Sequence, residues 1–510
     1  MVEMETLAIS QSGHYCTELN PSSFPPRSLL GRMLMIIVGI RAILLVPVIP
    51  SGRYGSMRGR RVRSMAARFL AGVSNTQIRT SKLERFYSHD QGYPVSVWGR
   101  PRYDPHLWSS ERTSSNQRGK RNLRRAITTV AAVLVILPAL LMSTPTNAAP
   151  PMMDTWTVMV YLDADNNLQS FGEMNLEMLE SVGSSDKVNF VVLIDTYAGP
   201  ASLLYVKQGS SEVIDDWGEV NMGDPATMTA FIKEAKKVAP AEKYCFISWD
   251  HGGGWRGMNW DDTSEEETGT SQFIDMAELR AAVVDADLVF DVFAFDQCLM
   301  AQPEVAYPLS GYAQYLVFSE ETIYGQGFPY DMIAADLVVK PDMSSLELSE
   351  LIVSDFAAYY NSITWANDWT ISAFDMTAMD GLTAAVAHLA TAQMNTLHLY
   401  RSQFKNDLSN SPSYYYPYFS DLKVYATNVY NDKAIGDQDV KNAAKEVISA
   451  VDAGIVLTMN SKHNQDSTGL SIYFPSYRSS YLGLKSAYVE VPFAVDTGWL
   501  NWLQVFCSNK

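Results

Sequence analysis

The most constraining feature of this sequence is an alternation. From residue 155 onward, short runs of β-branched and aromatic residues take turns with longer amphipathic stretches, the pattern of a mostly parallel β-sheet covered by helices. Strands are expected at 155–162, 190–196, 243–249, 288–295 and 315–319, with 470–474 as a last one. Helices are expected at 168–181, 225–238, 275–286 and 301–307, and Pro225 follows Asp224 in the order that N-capping prefers. Residues 353–409 and 440–459 add helical material around an extra strand at 369–374. The expected fold class is α/β with C-terminal helical elaborations, in one domain over residues 149–510 without internal repeats. In open sheets of this class the reactive groups gather just beyond the carboxyl ends of strands.

Two of those strand ends carry nucleophilic chemistry. Phe246-Ile-Ser-Trp249 runs into Asp250-His251-Gly252-Gly253-Gly254-Trp255, and Phe293-Ala-Phe295 runs into Asp296-Gln297-Cys298-Leu299-Met300. The thiolate is the reactive form of cysteine, and a free thiol with a pKa of about 8.5 is mostly protonated at neutral pH. An imidazole beside it can take that proton and later return it to a leaving amine. His251 and Cys298 are the candidates for this pair. The glycines permit a sharp turn and bring a backbone N–H close to a reacting carbonyl. The amides of Gly252 and Cys298 are the candidate oxyanion hole, in which one lost donor costs about 2.7–4 kcal/mol. His251 precedes Cys298 by 47 positions, in the order and near the spacing of caspases, although the caspase Cys signature is absent.

At finer grain the sequence resembles the clostripain family of cysteine peptidases. The blocks that carry the resemblance begin with Trp156-Thr-Val-Met-Val-Tyr-Leu-Asp-Ala-Asp-Asn-Asn-Leu168 and Asn221-Met-Gly-Asp-Pro225. They continue with Trp249-Asp-His-Gly-Gly-Gly-Trp255, Phe295-Asp-Gln-Cys-Leu-Met-Ala301, Tyr315-Leu-Val-Phe-Ser-Glu-Glu321 and Gly325-Gln-Gly-Phe-Pro-Tyr330, and more weakly Gly469-Leu-Ser-Ile-Tyr-Phe-Pro475. Their joint order over 149–510 is what makes the match specific. The resemblance implies a caspase-like fold, His251 as acid/base, Cys298 as nucleophile and Asp296 at the base of the primary specificity pocket. A buried carboxylate there favours Arg or Lys on the acyl side of the cut bond, because a basic side chain offsets the cost of desolvating the charge. The other reading of Asp296 is structural, as a loop cap or an orienter of His251.

No cofactor is implied for the chemistry itself. Some relatives need calcium or are matured by internal cleavage, which directs attention to the acidic loop Asp261-Asp262-Thr-Ser-Glu265-Glu266-Glu267. Its oxygen ligands leave calcium open, but its spacing does not match an EF-hand. Arg256 and Arg280 are the few basic residues nearby at which self-cleavage could fall.

Charge divides the chain in two. Residues 1–148 hold 20 Lys and Arg against 7 Asp and Glu, a net of +13, so the −17 of the whole chain leaves −30 for residues 149–510. That surplus keeps the acidic part self-repelling and argues against nucleic acid or anionic membranes as partners. Within the basic part, residues 118–148 read as a signal peptide: a run of Arg118, Lys120, Arg121, Arg124 and Arg125, an apolar segment, then Thr146 and Ala148 before the expected cleavage. The apolar run is near the lower length of a membrane anchor, but Pro138 interrupts it and no Cys follows for a lipid. Residues 1–117 are expected to be a disordered extension or to lie ahead of the true start of translation. The expected protein is thus exported, secreted or at the cell surface, acts on protein or peptide substrates, keeps no stable membrane anchor and is a monomer.

Four cysteines, Cys16, Cys245, Cys298 and Cys507, do not make a disulfide framework, and after cleavage at least one of the remaining three is unpaired. Cys245 is expected to be buried in a strand. His388, His398 and His463 lie outside the motif blocks and are expected to pack on apolar helical faces.

Three other readings compete. His-Gly-Gly-Gly is also an oxyanion motif of esterases, but residues 149–510 have no Gly-x-Ser-x-Gly elbow. A metallohydrolase would show HExxH or a paired CxxC, and neither occurs. A secreted binding or adhesion module that keeps the fold without activity is the non-enzymatic alternative; the presence of both His251 and Cys298 argues against it.

Overall fold

The computed structural model describes residues 154–508. The expected extension, 1–117, and signal peptide, 118–148, lie outside the described residues. Eleven strands follow in chain order: β1 (Asp154–Ala164), β2 (Val188–Thr196), β3 (Gly199–Lys207), β4 (Ser210–Gly218), β5 (Ala241–Trp249), β6 (Phe290–Asp296), β7 (Ala313–Phe318), β8 (Thr370–Asp375), β9 (Phe419–Asp421), β10 (Ile455–Asn460) and β11 (Ser471–Tyr473).

Nine of them form one sheet in the order β10-β8-β7-β6-β5-β1-β2-β3-β4. Its centre, β7-β6-β5-β1-β2, is parallel. Antiparallel strands complete both edges. The centre matches the expected caspase-like parallel sheet flanked by helices. Its strands are apolar on both sides, as parallel strands sandwiched between helices must be. Met159, Tyr161, Phe246 and Phe293 face one layer, while Val158, Val160, Ile247 and Val292 face the other. Each such side chain, fully buried, stabilises the fold by roughly 1.5–3 kcal/mol.

Helices Pro225–Val238 and Met276–Ala286 cover the first face, contributing Phe231 and Leu279. Helices Gln169–Val182, Tyr330–Val339 and Ser345–Ser362 cover the second, contributing Leu179, Ile333 and Phe356. Helix starts follow the sequence closely. The Asp224 side chain accepts from the Ala226 amide, and Asp275 with Glu278 forms a complete capping box.

Three expectations change. The hairpin β3–β4 was not anticipated: β4 is an exposed, acidic edge strand without the clean alternation that marks a half-buried one. The helix expected to 459 ends at Gly454, and the β-branched run that follows becomes β10. The last expected strand, 470–474, pairs with β9 in a separate two-stranded sheet.

Strand order fixes where a site can form. The chain moves from β1 to β2 on one side and returns to place β5 on the other side of β1. The crevice beyond the carboxyl ends of β1 and β5 is therefore a topological switch point, the favoured position for ligands in such sheets.

Candidate active site

His251 and Cys298 stand at this crevice at equivalent heights. Trp249 and Asp296 are register partners at the ends of β5 and β6, and each candidate residue lies two positions beyond its strand. Both line a cleft of about 150 Å³ together with Leu168, Trp249, Asp296, Tyr324 and Gly327. The half-buried Cys298 thiol receives a hydrogen bond from the Ile323 amide at 3.3 Å. Burial pushes its pKa up to about 11, helped by the carboxylates of Asp296, Glu321 and Asp250 and opposed by the Ile323 bond. Burial also lowers the pKa of His251. At neutral pH the pair therefore rests as a neutral thiol and a neutral imidazole, a state in which the ring has a free lone pair for a proton.

The two loops are in direct contact, and glycine is required for it. A Cβ on Gly252 would sit 2.4 Å from the Cys298 carbonyl oxygen and 2.9 Å from its nitrogen. The Gln297 side chain ties the same loops, donating to the His251 carbonyl at 3.3 Å and to Asn259 Oδ1 at 3.2 Å. The turn after Gly252 closes through the Gly253 amide and the Gly257 carbonyl at 3.0 Å, which leaves the Gly252 N–H outside that bond.

Asp296 is 4% exposed. Its Oδ2 accepts from the Phe328 amide at 2.8 Å and the Tyr330 hydroxyl at 3.0 Å. Its Oδ1 is buried with no partner among the described residues. Burial raises its pKa to about 7 against those two hydrogen bonds. Gly327 approaches so closely that a Cβ there would lie 2.6 Å from Oδ2. A buried carboxylate with one unused oxygen at the wall of a cleft has the chemistry to accept a cationic group.

Several site residues were quoted in the sequence motifs without a role. Asn167 Oδ1 lies 2.9 Å from His251 Nε2, and Asn166 Nδ2 donates to Asp250 Oδ1 at 2.7 Å. Both asparagines lie two and three positions beyond the end of β1, so the strand-end rule applied to β1 would have flagged them. Ile323, Tyr324 and Gly327 come from the loop after β7, whose role depends on tertiary packing.

A second cluster lies beside the crevice. Oxygens of Asp165, Glu219 and Asp261 fall within 4.8 Å of one another. Asp163 and Asp195 are fully buried nearby, and Asp163 Oδ2, Asp165 Oδ1 and Asp195 Oδ2 lack partners among the described residues. Burial and mutual repulsion push Asp165 to about 7 and Asp195 to about 8. Of the acidic loop 261–267, only Asp261 takes part; the residues after it form helix Asp262–Thr268, which has no buried residue.

The remaining ionisable groups fall away from the site. Cys245 is buried in β5, with its pKa raised by burial, as expected. The three histidines are not core residues: His398 and His463 are exposed, and His388 bonds Glu446 and Asp439. His388 and His398 lie on the helix Met379–Ser409 with their side chains toward polar partners or solvent, and His463 lies in a turn.

The clostripain family model matches residues 160–505. Clostripain from Hathewaya histolytica is 24% identical over 423 residues, covering 68% of this chain and 79% of that protein. Two solved structures share the fold. One is an inactive zymogen C11 protease from Parabacteroides distasonis, with a TM-score of 0.53 and 20% identity over 68% of this chain and 99% of that one. The other is a secreted C11 cysteine protease from Bacteroides thetaiotaomicron in complex with an irreversible peptide inhibitor, with a TM-score of 0.54, 20% identity and the same coverage. With a family match over 160–505, this chain belongs to the clostripain family of cysteine peptidases.

Proposed function

We propose that the protein is an exported cysteine endopeptidase that cuts after Arg or Lys, with Cys298 as nucleophile, His251 as acid/base and Asp296 as the base of the specificity pocket. The observation that carries this reading is the unpartnered buried oxygen of Asp296 in the same cleft as the Cys298 thiol. As the sulfur attacks the scissile carbonyl, the thiol proton passes to His251 and the carbonyl oxygen becomes an oxyanion. The N–H groups of Gly252 and Cys298 are poised to hold it. The intermediate collapses to a thioester as His251 protonates the leaving amine. Water, deprotonated by His251, then attacks the thioester, and His251 returns that proton to the departing sulfur as the acid product leaves.

The acidic cluster fits calcium. It offers only hard oxygen ligands, several carboxylate oxygens lack donors, and Ca²⁺ takes six to eight oxygens. Asp165, Glu219 and Asp261 would hold the ion, which neutralises buried negative charge and takes no part in bond making. Export rests on residues 118–148, and one of the similar structures is described as secreted. No helix among the described residues is long and apolar enough to cross a membrane. The protein acts on peptide substrates as a monomer.

The test is hydrolysis of fluorogenic peptides ending in Arg, Lys, Asp or Leu by the protein and by Cys298→Ala. Cleavage after Arg and Lys, absent in the variant, is expected. Cleavage after Asp or Leu would retain Cys298 and remove Asp296 from the pocket.

A further inference from the structure

The dipeptide Asp250-His251 at the end of β5 faces the dipeptide Asn166-Asn167 at the end of β1, and the two pairs are joined residue by residue. Asn166 Nδ2 donates to Asp250 Oδ1 at 2.7 Å and to the Trp260 carbonyl at 3.1 Å, while its own Oδ1 accepts from the Leu168 amide at 2.8 Å. Asn166 is buried and its orientation is therefore set. Asp250 is held from the other side by the Trp260 amide on Oδ2 at 2.5 Å. One residue further on, Asn167 Oδ1 lies 2.9 Å from His251 Nε2.

A carboxamide oxygen can only accept. With Oδ1 facing the ring, a hydrogen bond at this contact requires the imidazole proton on Nε2 and leaves the lone pair on Nδ1. Which nitrogen carries the proton decides whether a neutral imidazole can act as a base toward the thiol, because the protonated nitrogen has no lone pair to offer. The ionisable groups that line the cleft with this ring are Asp250 beside it, hydrogen-bonded on both oxygens as above, Cys298 and Asp296 at and after the end of β6, and Tyr324 from the loop after β7. Asn167 is the neutral side chain that contacts the ring nitrogen itself.

We infer that Asn167 is a positioning residue for the proposed reaction: it fixes His251 as the Nε2–H tautomer with Nδ1 directed to its proton-transfer task, and Asn166 clamps the preceding Asp250 so that both strand ends move as one. This inference rests on the dyad reading above. It assigns Asn167 no contact with substrate and no part in specificity, so its loss acts on turnover and not on binding.

The experiment compares the full-length protein with Asn167→Ala and Asn167→Asp, measuring kcat and KM for an Arg peptide from pH 5 to 9, with the thermal midpoint of each variant recorded to confirm folding. Asn167→Ala is expected to lower kcat at least tenfold with KM changed less than twofold. The loss is bounded by the whole general-base contribution of about 10²–10⁴-fold. Asn167→Asp keeps the acceptor oxygen and adds a charge beside the ring. It is expected to recover much of the lost kcat and to move the acid limb of kcat upward by about one unit or more, as an opposite charge at this range does. A merely structural Asn167 would instead show its loss in the thermal midpoint, with kcat of the folded Ala variant near that of the parent. An Ala variant with kcat within twofold of the parent, or an Asp variant whose acid limb does not move, overturns the inference. Cys298→Ala separates the two readings: turnover that survives in that variant removes the dyad itself, whereas turnover lost with Cys298 but indifferent to Asn167 removes the positioning role alone. The tautomer is then read directly from the ¹⁵N shifts of His251. A proton on Nε2 that becomes shared between both nitrogens in Asn167→Ala sustains the clamp, and a proton on Nδ1 in the parent removes it.

Discussion

Directly after Cys298 the backbone turns into the left-handed region at Leu299, with φ of 67°, a conformation that costs a non-glycine residue on the order of 1–3 kcal/mol. The fold holds it there by burying the leucine side chain and by the bond from its amide to the Glu321 carbonyl at 3.1 Å. The turn sets the Cys298 thiol at the cleft. Such strain beside a nucleophile is invisible in sequence, since leucine is the last residue one would place there. What sequence did identify is the set His251, Gly252, Asp296 and Cys298, which the structure brings around one crevice. Their chemistry sets the pH behaviour. In the proposed pocket role Asp296 must be ionised to receive an Arg side chain, so free-enzyme kcat/KM for an Arg peptide is expected to fall as pH drops through about 7. Bound substrate cation lowers that pKa, so kcat is expected to persist to lower pH and to fail only when His251 protonates, below its usual range because burial disfavours the charge. Pre-steady-state and steady-state pH profiles that place both limbs at one pH would contradict this. Asp296→Asn is expected to cut kcat/KM for Arg and Lys peptides by two orders of magnitude or more, the scale of about 3–5 kcal/mol for removing one partner of a buried ion pair.

Among the elements, the parallel strands and the helices between them were legible because each is apolar throughout or amphipathic with a clear period. The antiparallel edges were not. β4 is exposed over most of its length, and β10 directly continues a helix whose end is marked only by Gly454. That glycine was a readable signal: a Cβ there would lie 2.2 Å from the Phe374 ring of β8, so the helix must end small to pack on the sheet. The C-terminal helices carry their own fastenings. Lys441 Nζ donates to the carbonyls of Val429 at 2.7 Å, Tyr430 at 2.7 Å and Asp432 at 2.6 Å, closing the carboxyl end of helix Leu422–Asn431. Lys441→Met is expected to cost about 1–2 kcal/mol and to lower the Tm by a few degrees, with activity on Arg peptides unchanged. His388 joins helix Met379–Ser409 to helix Gln438–Gly454 through Glu446 and Asp439, which raise its pKa. A raised folded pKa means that the contribution is complete below the unfolded value of about 6.5 and is lost as pH rises through the folded one. The Tm difference between the protein and His388→Gln is accordingly expected at pH 6 and should vanish by pH 9; an equal difference at both pH values would rule out the ion pairs as its source.

For the molecule as a whole, five carboxylates of the acidic part, Asp163, Asp165, Asp195, Glu219 and Asp261, gather at the end of β1 beside the crevice. Sequence pointed to the loop 261–267 as the acidic feature, but only folding brings Asp261 to Asp165 and Glu219 from two other segments. Calcium is expected to raise the Tm of the protein, chelation to lower it, and Asp165→Asn to abolish the difference; a Tm indifferent to calcium would remove the ion from this cluster. The same scale bears on self-processing. No Lys or Arg occurs from residue 257 to 279, Arg280 sits in a helix donating to two carbonyls, and Arg256 lies in a tight turn. An enzyme that cuts after basic residues is therefore expected to remain one uncut chain between His251 and Cys298, as mass spectrometry of the active protein can read. The most direct test of the whole account is the cleavage of Arg, Lys, Asp and Leu fluorogenic peptides by the protein beside its Cys298→Ala and Asp296→Asn variants. The account predicts turnover after Arg and Lys that disappears with Cys298 and collapses with Asp296. Turnover that survives Cys298→Ala, or a folded parent that cleaves none of the four, would contradict it.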